Sequence, residues 1–335
     1  MATPMLRSLR RGFPHDRIVC LMRPVIAQVL EGLRSFDDSI LWNPGGRSHE
    51  ERTWQVLRTL RRARFELAVL LRNSFHSAAL IWAGGAKRRV GYRRDGRGWL
   101  LTDQLDPERR GRQFVPSPVI DYYLNLAYHL GCPRESYRLD MSTSPTDEEA
   151  ADRVWQVFGL DSARQVVVLN PGAAFGAAKF WPTSHFGELA CRLGAMPGTH
   201  VLVLCGPGET AISREIVTRA AQPTVHSIAD FPISIGLSKA CVRRANLMVT
   251  TDSGPRHFAA AFDVPVISLF GPTHIRWSET FFAKAVHLQK EVSCGPCQLP
   301  RCPLDHRCMK ELAPDEVFQK AVELLTQYPG QKRVA

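Results

Sequence analysis

Three short stretches of this 335-residue chain combine small residues with groups able to hold an anion. The first is Leu169-Asn-Pro-Gly-Ala-Ala-Phe-Gly-Ala-Ala-Lys-Phe-Trp-Pro182. Here Asn170 and Gly172 follow an apolar run and open a Gly/Ala-rich loop that ends at Lys179. Small side chains let backbone N–H groups approach a phosphate, and Lys179 adds a positive charge. The plainer reading is an ordinary βα loop with a surface lysine. The second stretch, Leu204-Cys-Gly-Pro-Gly-Glu209, turns on its glycines and sets Glu209 at a helix start. That carboxylate either accepts from ribose hydroxyls or simply complements a helix N-terminus. The third is Thr250-Thr-Asp-Ser-Gly-Pro-Arg-His-Phe-Ala-Ala-Ala261. Asp252 or Ser253 is expected to cap a helix, with Pro255 in its first turn. The N–H groups of Ser253 and Gly254 would then face an anion, and His257 could donate to a phosphate.

A fourth cluster is different in kind. Cys294-x2-Cys297-x4-Cys302-x5-Cys308, with His306 inside it, has ligand types and a first spacing that suit zinc. The competing reading is a set of reduced thiols that order a loop. The chain has nine cysteines, an odd number, and no secretory signal, which argues against a disulfide framework.

Strand-like and helical runs alternate along the whole chain. A helix over Thr3–Arg11 comes first, stopped by Gly12 and Pro14. Strand-like runs follow at Arg17–Met22, Ser39–Trp42, Glu66–Leu71 and Arg88–Tyr92, and helical runs at Val25–Leu33, Glu50–Ala63, His76–Trp82 and Pro118–Leu130. Gly131–Thr146 is polar and reads as a linker, and a helix over Asp147–Phe158 follows it. Strands are then expected at Gln165–Leu169, His200–Leu204, Asn246–Thr250 and Val264–Phe270. Helices are expected at His185–Leu193, Glu209–Ala221, Ile233–Ala240, Pro255–Phe262 and Pro314–Gln327. Such alternation implies α/β domains with parallel sheets. The expectation is two doubly wound domains, residues 1–145 and 146–335, facing each other across a cleft. In such sheets ligands bind at the carboxyl ends of strands, where the three small-residue stretches lie.

Charge and hydropathy narrow the partners. The chain carries 43 basic against 32 acidic residues, a net of +11. The excess is concentrated early, at Arg7, Arg10, Arg11, Arg58, Arg61, Arg62, Arg64, Lys87, Arg88, Arg89, Arg93, Arg94 and Arg97. Nucleic acid, an anionic membrane face or acidic small molecules would all fit. The sequence has no zinc-finger spacing, no RRM-type aromatic signature and no heptad-backed basic region, so nucleic acid is not expected. No apolar run reaches the ~18–20 residues that would span a bilayer. A cytoplasmic location is expected.

Together, Asp252-Ser-Gly-x-x-His257, Phe270-Gly-Pro-Thr273, Asn170-Pro-Gly and Lys179-x-Trp-Pro182 resemble the ADP-heptose:lipopolysaccharide heptosyltransferases of glycosyltransferase family 9. The pattern is nearest the heptosyltransferase II branch. Leu71-Arg-Asn-Ser-Phe-His-Ser-Ala78, Arg89-Val-Gly-Tyr92 and Leu100-Leu-Thr-Asp103 are similar to the acceptor-side motifs of that family. The resemblance implies a GT-B fold of two Rossmann-like domains and inverting transfer of heptose from ADP-heptose to a lipid A-linked inner core. It implies that Lys179, Asp252, Ser253, Gly254 and His257 surround the diphosphate and sugar, with Asn170 and Gly172 beside them. Glu209 would reach the ribose and residues near Ile233 the adenine. On the acceptor side it suggests Arg72, Asn73, Ser74, Arg94 and Arg97, with peripheral attachment to the anionic inner membrane. No cofactor or metal is expected, and no Asp-x-Asp motif stands at a strand end. The alternatives are a related GT-B enzyme with another sugar nucleotide, or a non-catalytic ADP-sugar-binding relative.

One departure concerns the start. Similar family members open with a strand and a loop bearing a Gly-Asp pair, then a helix close to the present Ala2-Thr-Pro-Met-Leu-Arg-Ser-Leu-Arg10. That Asp is the family's proposed general base. The expectation is that a strand, its loop and the base are missing ahead of Met1, through a start placed too late rather than through gene truncation. A 335-residue chain is then expected to fold poorly and to transfer little.

Overall fold

The structure, a computed structural model, describes residues 1–329 except 47, 112 and 173–175. The chain divides into two compact units: Met1–Tyr137 with Arg276–Glu279, and Arg138–Ile275 with Thr280–Ala335. The divide falls at Tyr137, ahead of the 145/146 boundary expected from the polar stretch.

The first unit opens with α1 (Thr3–Gly12), whose Met5, Leu6 and Leu9 form a buried stripe. Their spacing places them on one helix face, and they pack against Leu124 and Ala127 of α5 (Val119–His129). Next come β1 (Val19–Met22), α2 (Pro24–Leu30), β2 (Asp38–Leu41), α3 (Thr53–Ala63), β3 (Leu67–Leu70), α4 (Phe75–Ala83), β4 (Arg88–Tyr92) and β5 (Asp103–Leu105). A short antiparallel hairpin, β6 (Arg109–Arg110) with β7 (Gln113–Phe114), precedes α5. The ladder is in two pieces: β1 pairs with β2, and β3–β4–β5 form a separate parallel sheet. Among the described residues β1 and β3 each have a single strand partner. All four residues of β1 are only half-buried, as are Leu67, Ala68 and Val69. Cys20 of β1 and Val69 of β3 nevertheless lean on the same apolar cluster as α1.

The second unit holds one six-stranded parallel sheet in the order β10-β9-β8-β11-β12-β13. Its strands are β8 (Gln165–Asn170), β9 (Thr199–Val203), β10 (Val225–Ser227), β11 (Leu247–Thr251), β12 (Val266–Phe270) and β13 (Ala285–Gln289). The runs of Val and Leu suit strands buried on both faces. Val167, Leu169, Val201, Val249, Ile267 and Leu269 point into one cluster with α7 (Thr183–Gly194), α8 (Thr210–Ala220) and α12 (Pro314–Gln327). Their alternates Val168, Leu202 and Met248 are equally buried, on the opposite face. That side meets α9 (Ile235–Arg244) and α10 (Arg256–Ala261). The short α11 (Arg307–Lys310) precedes α12. The chain runs outward from β8 to β10, then crosses back to β11 and runs outward to β13. The order therefore reverses between β8 and β11.

Several local expectations shift. The helix after the polar stretch, α6 (Pro145–Phe158), starts at Pro145 rather than Asp147. Ser144 accepts from the Asp147 N–H and the Asp147 carboxylate accepts from the Ser144 N–H, a reciprocal capping box. Asp147 also lies 3.2 Å from the fully buried ammonium of Lys239, which fixes α6 to α9. Strands β5, β10 and β13 were not expected: β5 and β10 are three-residue edge strands with little periodic signal, and β13, though five residues long, is mostly half-buried at the sheet edge and lacks the apolar run of the inner strands.

Candidate functional site

The site residues of the second unit lie just beyond the carboxyl ends of four adjacent strands, β9, β8, β11 and β12. Asn170 is the last residue of β8. Its amide donates to the Thr250 hydroxyl at 2.9 Å and to the Ser253 hydroxyl at 3.1 Å. That pair of bonds stitches β8 to β11 where the strand order reverses, the place at which open α/β sheets bind their ligands.

Lys179 reaches the same point from a 3-10 turn, Ala177–Lys179. Its ammonium is nearly buried and donates to the Asp252 carbonyl at 2.9 Å and to the Asp252 carboxylate. Thr273 donates to the same carboxylate oxygen at 2.7 Å. Arg256 stands 3.5 Å from the other oxygen. Burial disfavours the Asp252 carboxylate, but the Lys179 ammonium, with Thr273 and Arg256, outweighs it and holds the carboxyl below its usual range. Trp181, two residues after Lys179, is buried and donates to the Leu312 carbonyl at 2.9 Å, which anchors the turn.

The expected cap is therefore corrected. Asp252 does not cap a helix; α10 begins at Arg256, behind Pro255, and has no side-chain cap. The carboxylate turns instead to Lys179, because an ammonium is a stronger partner than a neutral N–H. Ser253 is half-buried and Gly254 exposed. His257 is half-buried, and desolvation, then the Arg256 charge, hold its imidazole well below the ordinary range. It is neutral at physiological pH.

Glu209 accepts from the Gly206 N–H at 2.8 Å and leans on Gly172 so closely that a Cβ there would lie 2.3 Å from both carboxylate oxygens. The Gly172 carbonyl accepts from Thr251 at 2.7 Å. Ile233 is half-buried in the segment ahead of α9, whose cap is Ser234. Residues 173–175 of the small-residue loop lie outside the described residues. Sequence reasoning gave no role to Thr273 or Arg256, although Phe270-Gly-Pro-Thr273 stands at a strand end and could have pointed to the threonine.

In the first unit Arg97 is fully buried. Its guanidinium donates to the Tyr92 carbonyl at 3.0 Å, to the Asn73 side chain at 2.9 Å and to the Arg72 carbonyl. Tyr122 donates to the same Asn73 oxygen at 3.0 Å. Arg97 thus holds the 72–73 turn from inside and does not present its charge at the surface. Ser74 caps α4, accepting from the Ser77 N–H. Arg72 is exposed, and Arg94 lies 3.8 Å from the Phe114 ring centroid.

The four clustered cysteines line one small cavity together with Ala178, Pro272, Asp305, His306 and Arg307. Cys294 and Cys297 are exposed, Cys302 is half-buried and Cys308 is buried. Burial, then the nearby Cys302, Cys294 and Cys297, raise the Cys308 thiol. All nine cysteines are free thiols.

A doubly wound parallel sheet with a polar cluster at its switch point is a general arrangement for binding nucleotides, and the GT-B glycosyltransferases are among the proteins that use it. A profile of glycosyltransferase family 9 (heptosyltransferase) matches residues 53–307, and the chain belongs to that family. Lipooligosaccharide heptosyltransferase 2 of Campylobacter jejuni is 32% identical over 174 residues, 50% of this chain and 53% of that protein. The chain thus matches about half the length of that relative. Lipopolysaccharide heptosyltransferase 2 of Escherichia coli K12 is 29% identical over 281 residues, covering 82% of this chain and 79% of that one. The solved structure of Escherichia coli ADP-heptose lps heptosyltransferase II superposes with a TM-score of 0.77 at 23% identity, over 98% of this chain and 95% of that one. Among the described residues no helix is long and apolar enough to cross a membrane.

Proposed function

We propose that this chain transfers a heptose from ADP-heptose to a lipopolysaccharide inner core, with inversion at the anomeric carbon. The observation that carries the reading is Lys179, a nearly buried ammonium fixed at the switch point by Asp252 in a chain of the heptosyltransferase family. In this reading Lys179 and His257 donate to the donor diphosphate. Asn170, Gly172, Ser253 and Gly254 line the diphosphate and sugar, Glu209 takes the ribose hydroxyls, and Ile233 flanks the adenine. As the glycosidic bond breaks, negative charge grows on the leaving ADP. Lys179 stabilises it as a fixed cation, and the neutral His257 adds a hydrogen bond. Asp252 is a positioning residue that sets the Lys179 ammonium. Inverting transfer also requires a carboxylate to take the proton of the acceptor hydroxyl, a role that none of the residues named here fills.

On the acceptor side, Arg72 and Arg94 meet the anionic inner core, and Arg97 with Asn73 and Ser74 shapes the turn that carries Arg72. Phe75, Trp82 and Trp99 support contact with the cytoplasmic face of the inner membrane. They are exposed, and Trp99 lies 6.1 Å from Phe75 and 6.5 Å from Trp82 between ring centroids. Exposed aromatic rings of this kind suit a membrane interface.

The test is calorimetric titration with ADP and UDP, coupled to mass spectrometry of an inner-core acceptor incubated with ADP-heptose. ADP should bind more tightly than UDP; a gain of one heptose on the acceptor supports transfer, and ADP binding without that gain supports the non-catalytic ADP-sugar-binding alternative. Lys179→Met should weaken ADP by about 10–100-fold, the scale of a lost charge-assisted contact. Preference for UDP, or unchanged ADP affinity in that variant, would overturn the reading.

A further inference from the structure

We propose that Cys294, Cys297, Cys302 and Cys308 bind one metal ion as a tetrathiolate knuckle that braces the turn carrying Lys179. Residues 290–306 join β13 to α11 without helix or strand. Loops of this length rarely order without a staple or a function. Leu299 and Leu304 are exposed, so the loop has little apolar core of its own. All four thiols nevertheless line the same cavity. Four thiols at one place suit a soft, tetrahedral site for zinc or iron. Arg307 and Asp305 line the cavity as well and pair with each other at 2.7 Å, so together they add no net charge beside the thiolates. His306 is engaged elsewhere, with its Nε2 2.7 Å from the Ala178 carbonyl, and acts as a strut rather than as the fourth ligand.

The loop is tied to the Lys179 site on two sides. The Ala178 N–H donates to the Pro300 carbonyl at 3.1 Å, and the Gln298 N–H donates to the Pro272 carbonyl at 2.8 Å. Ala178 belongs to the turn that ends at Lys179, and Pro272 precedes Thr273, the other donor to Asp252. Gly271 packs against Met309 and Cys308 so closely that a Cβ would lie 2.5 Å from the Met309 sulfur and 3.3 Å from the Cys308 sulfur. Among the described residues no three His, Cys, Asp or Glu side chains already stand in ligand geometry, so binding must draw the thiols together. Each thiol loses its proton to solvent as it replaces a water on the ion.

The full chain, purified without a polyhistidine tag or chelator, should carry about one metal ion per chain by elemental mass spectrometry. Zinc would leave the protein colourless, and exchange for Co²⁺ would give the spectrum of a tetrahedral thiolate site. Iron would show thiolate-to-iron absorption directly. Cys297→Ser and Cys302→Ser should each lose the metal, whereas Cys191→Ser should keep it. Removing the metal from the unmutated chain with chelator and reductant should speed hydrogen exchange at residues 176–181 and leave α8 unchanged. That measurement stands even where a cysteine variant does not fold. Less than ~0.1 equivalent of metal, both as purified and after reconstitution with Zn²⁺ or Fe²⁺ under reductant, would overturn the site. Bound metal whose removal leaves exchange at 176–181 unchanged would overturn the bracing role.

Discussion

Lys179 and Asp252 show how a nearly buried charge pair is kept in place. Neither is well solvated, and the carboxylate is retained because an ammonium, a hydroxyl and a guanidinium surround it. Removing one member of such a pair leaves an uncompensated buried charge. Gly172 offers a finer test of the same region. A methyl group there displaces the Glu209 carboxylate and breaks its 2.8 Å bond to Gly206. Gly172→Ala should cost about 1 kcal/mol in urea unfolding, the scale of one hydrogen bond. It should also weaken ADP as much as Glu209→Ala does, and the double variant should be no weaker than either single one. Additive losses would separate Gly172 from Glu209. His257 gives a pH prediction. Its folded-state pKa lies well below 6.5, with desolvation first and Arg256 next as causes. The unfolded chain therefore takes up the proton first, and stability present above about pH 6.5 is lost as pH falls through the folded-state value. His257→Gln should flatten that part of the stability profile between pH 7 and 5. An unchanged profile would show that His257 does not carry it.

At the scale of elements the two units differ in how their ladders close. β8 and β11 are paired on both sides, and nearly every residue in them is buried. Among the described residues β1 and β3 have one strand partner each, and they are mostly half-buried. Amides with fewer ladder bonds and less cover open more readily. Hydrogen exchange read by mass spectrometry should therefore be faster by at least tenfold, about 1.4 kcal/mol, over Val19–Met22 and Leu67–Leu70 than over β8 and β11. Equal protection would mean that the edges of β1 and β3 are covered in solution. The elements themselves were largely legible. The Val-rich run at 165–169 and the helix over Pro314–Gln327 emerge as expected, because a long apolar period is a local signal. β10 and β13 were not legible, because they are the two edge strands of the six-stranded sheet and an edge strand is defined by the neighbour it pairs with.

At the scale of the whole molecule the net charge of +11 already counts the acidic residues, but several of the early basic residues are tied up in ion pairs. Arg7 and Arg11 meet Glu135, Arg10 meets Asp37, Lys87 meets Glu66, Arg88 meets Asp103 and Arg93 meets Asp106. Arg58, Arg61 and Arg62 on α3 have no acidic partner among the described residues. Arg61 donates to the Ala83 carbonyl, one residue after Trp82, and Arg58 lies 5.0 Å from the centroid of the exposed Trp54 ring, so α3 carries positive charge beside an exposed aromatic ring. Sedimentation with phosphatidylglycerol vesicles should bring the protein down at low salt, and neutral vesicles should not. Adding salt to about 0.5 M should release it, since the Debye length falls well below 10 Å. Trp82→Ala with Trp99→Ala should weaken the association at fixed salt. Equal binding to neutral vesicles, or none to anionic ones at low salt, would remove membrane contact from the proposed function.

The sequence by itself determined the α/β alternation, the strand ends that carry Asn170, Lys179, Glu209 and Asp252, and the gathering of four cysteines before the last helix. Each is a local pattern, set by side-chain period or by residues a few positions apart. The tertiary structure alone decided what those residues do to one another. Asp252 looked like a helix cap because capping is the nearest interaction open to it; its partner Lys179 is 73 residues away in sequence. Arg97 looked like a surface cation until its turn folded inward over Asn73 and Arg72. The role of a charged side chain depends on which distant groups desolvate and pair with it, and only the folded chain brings those groups within reach.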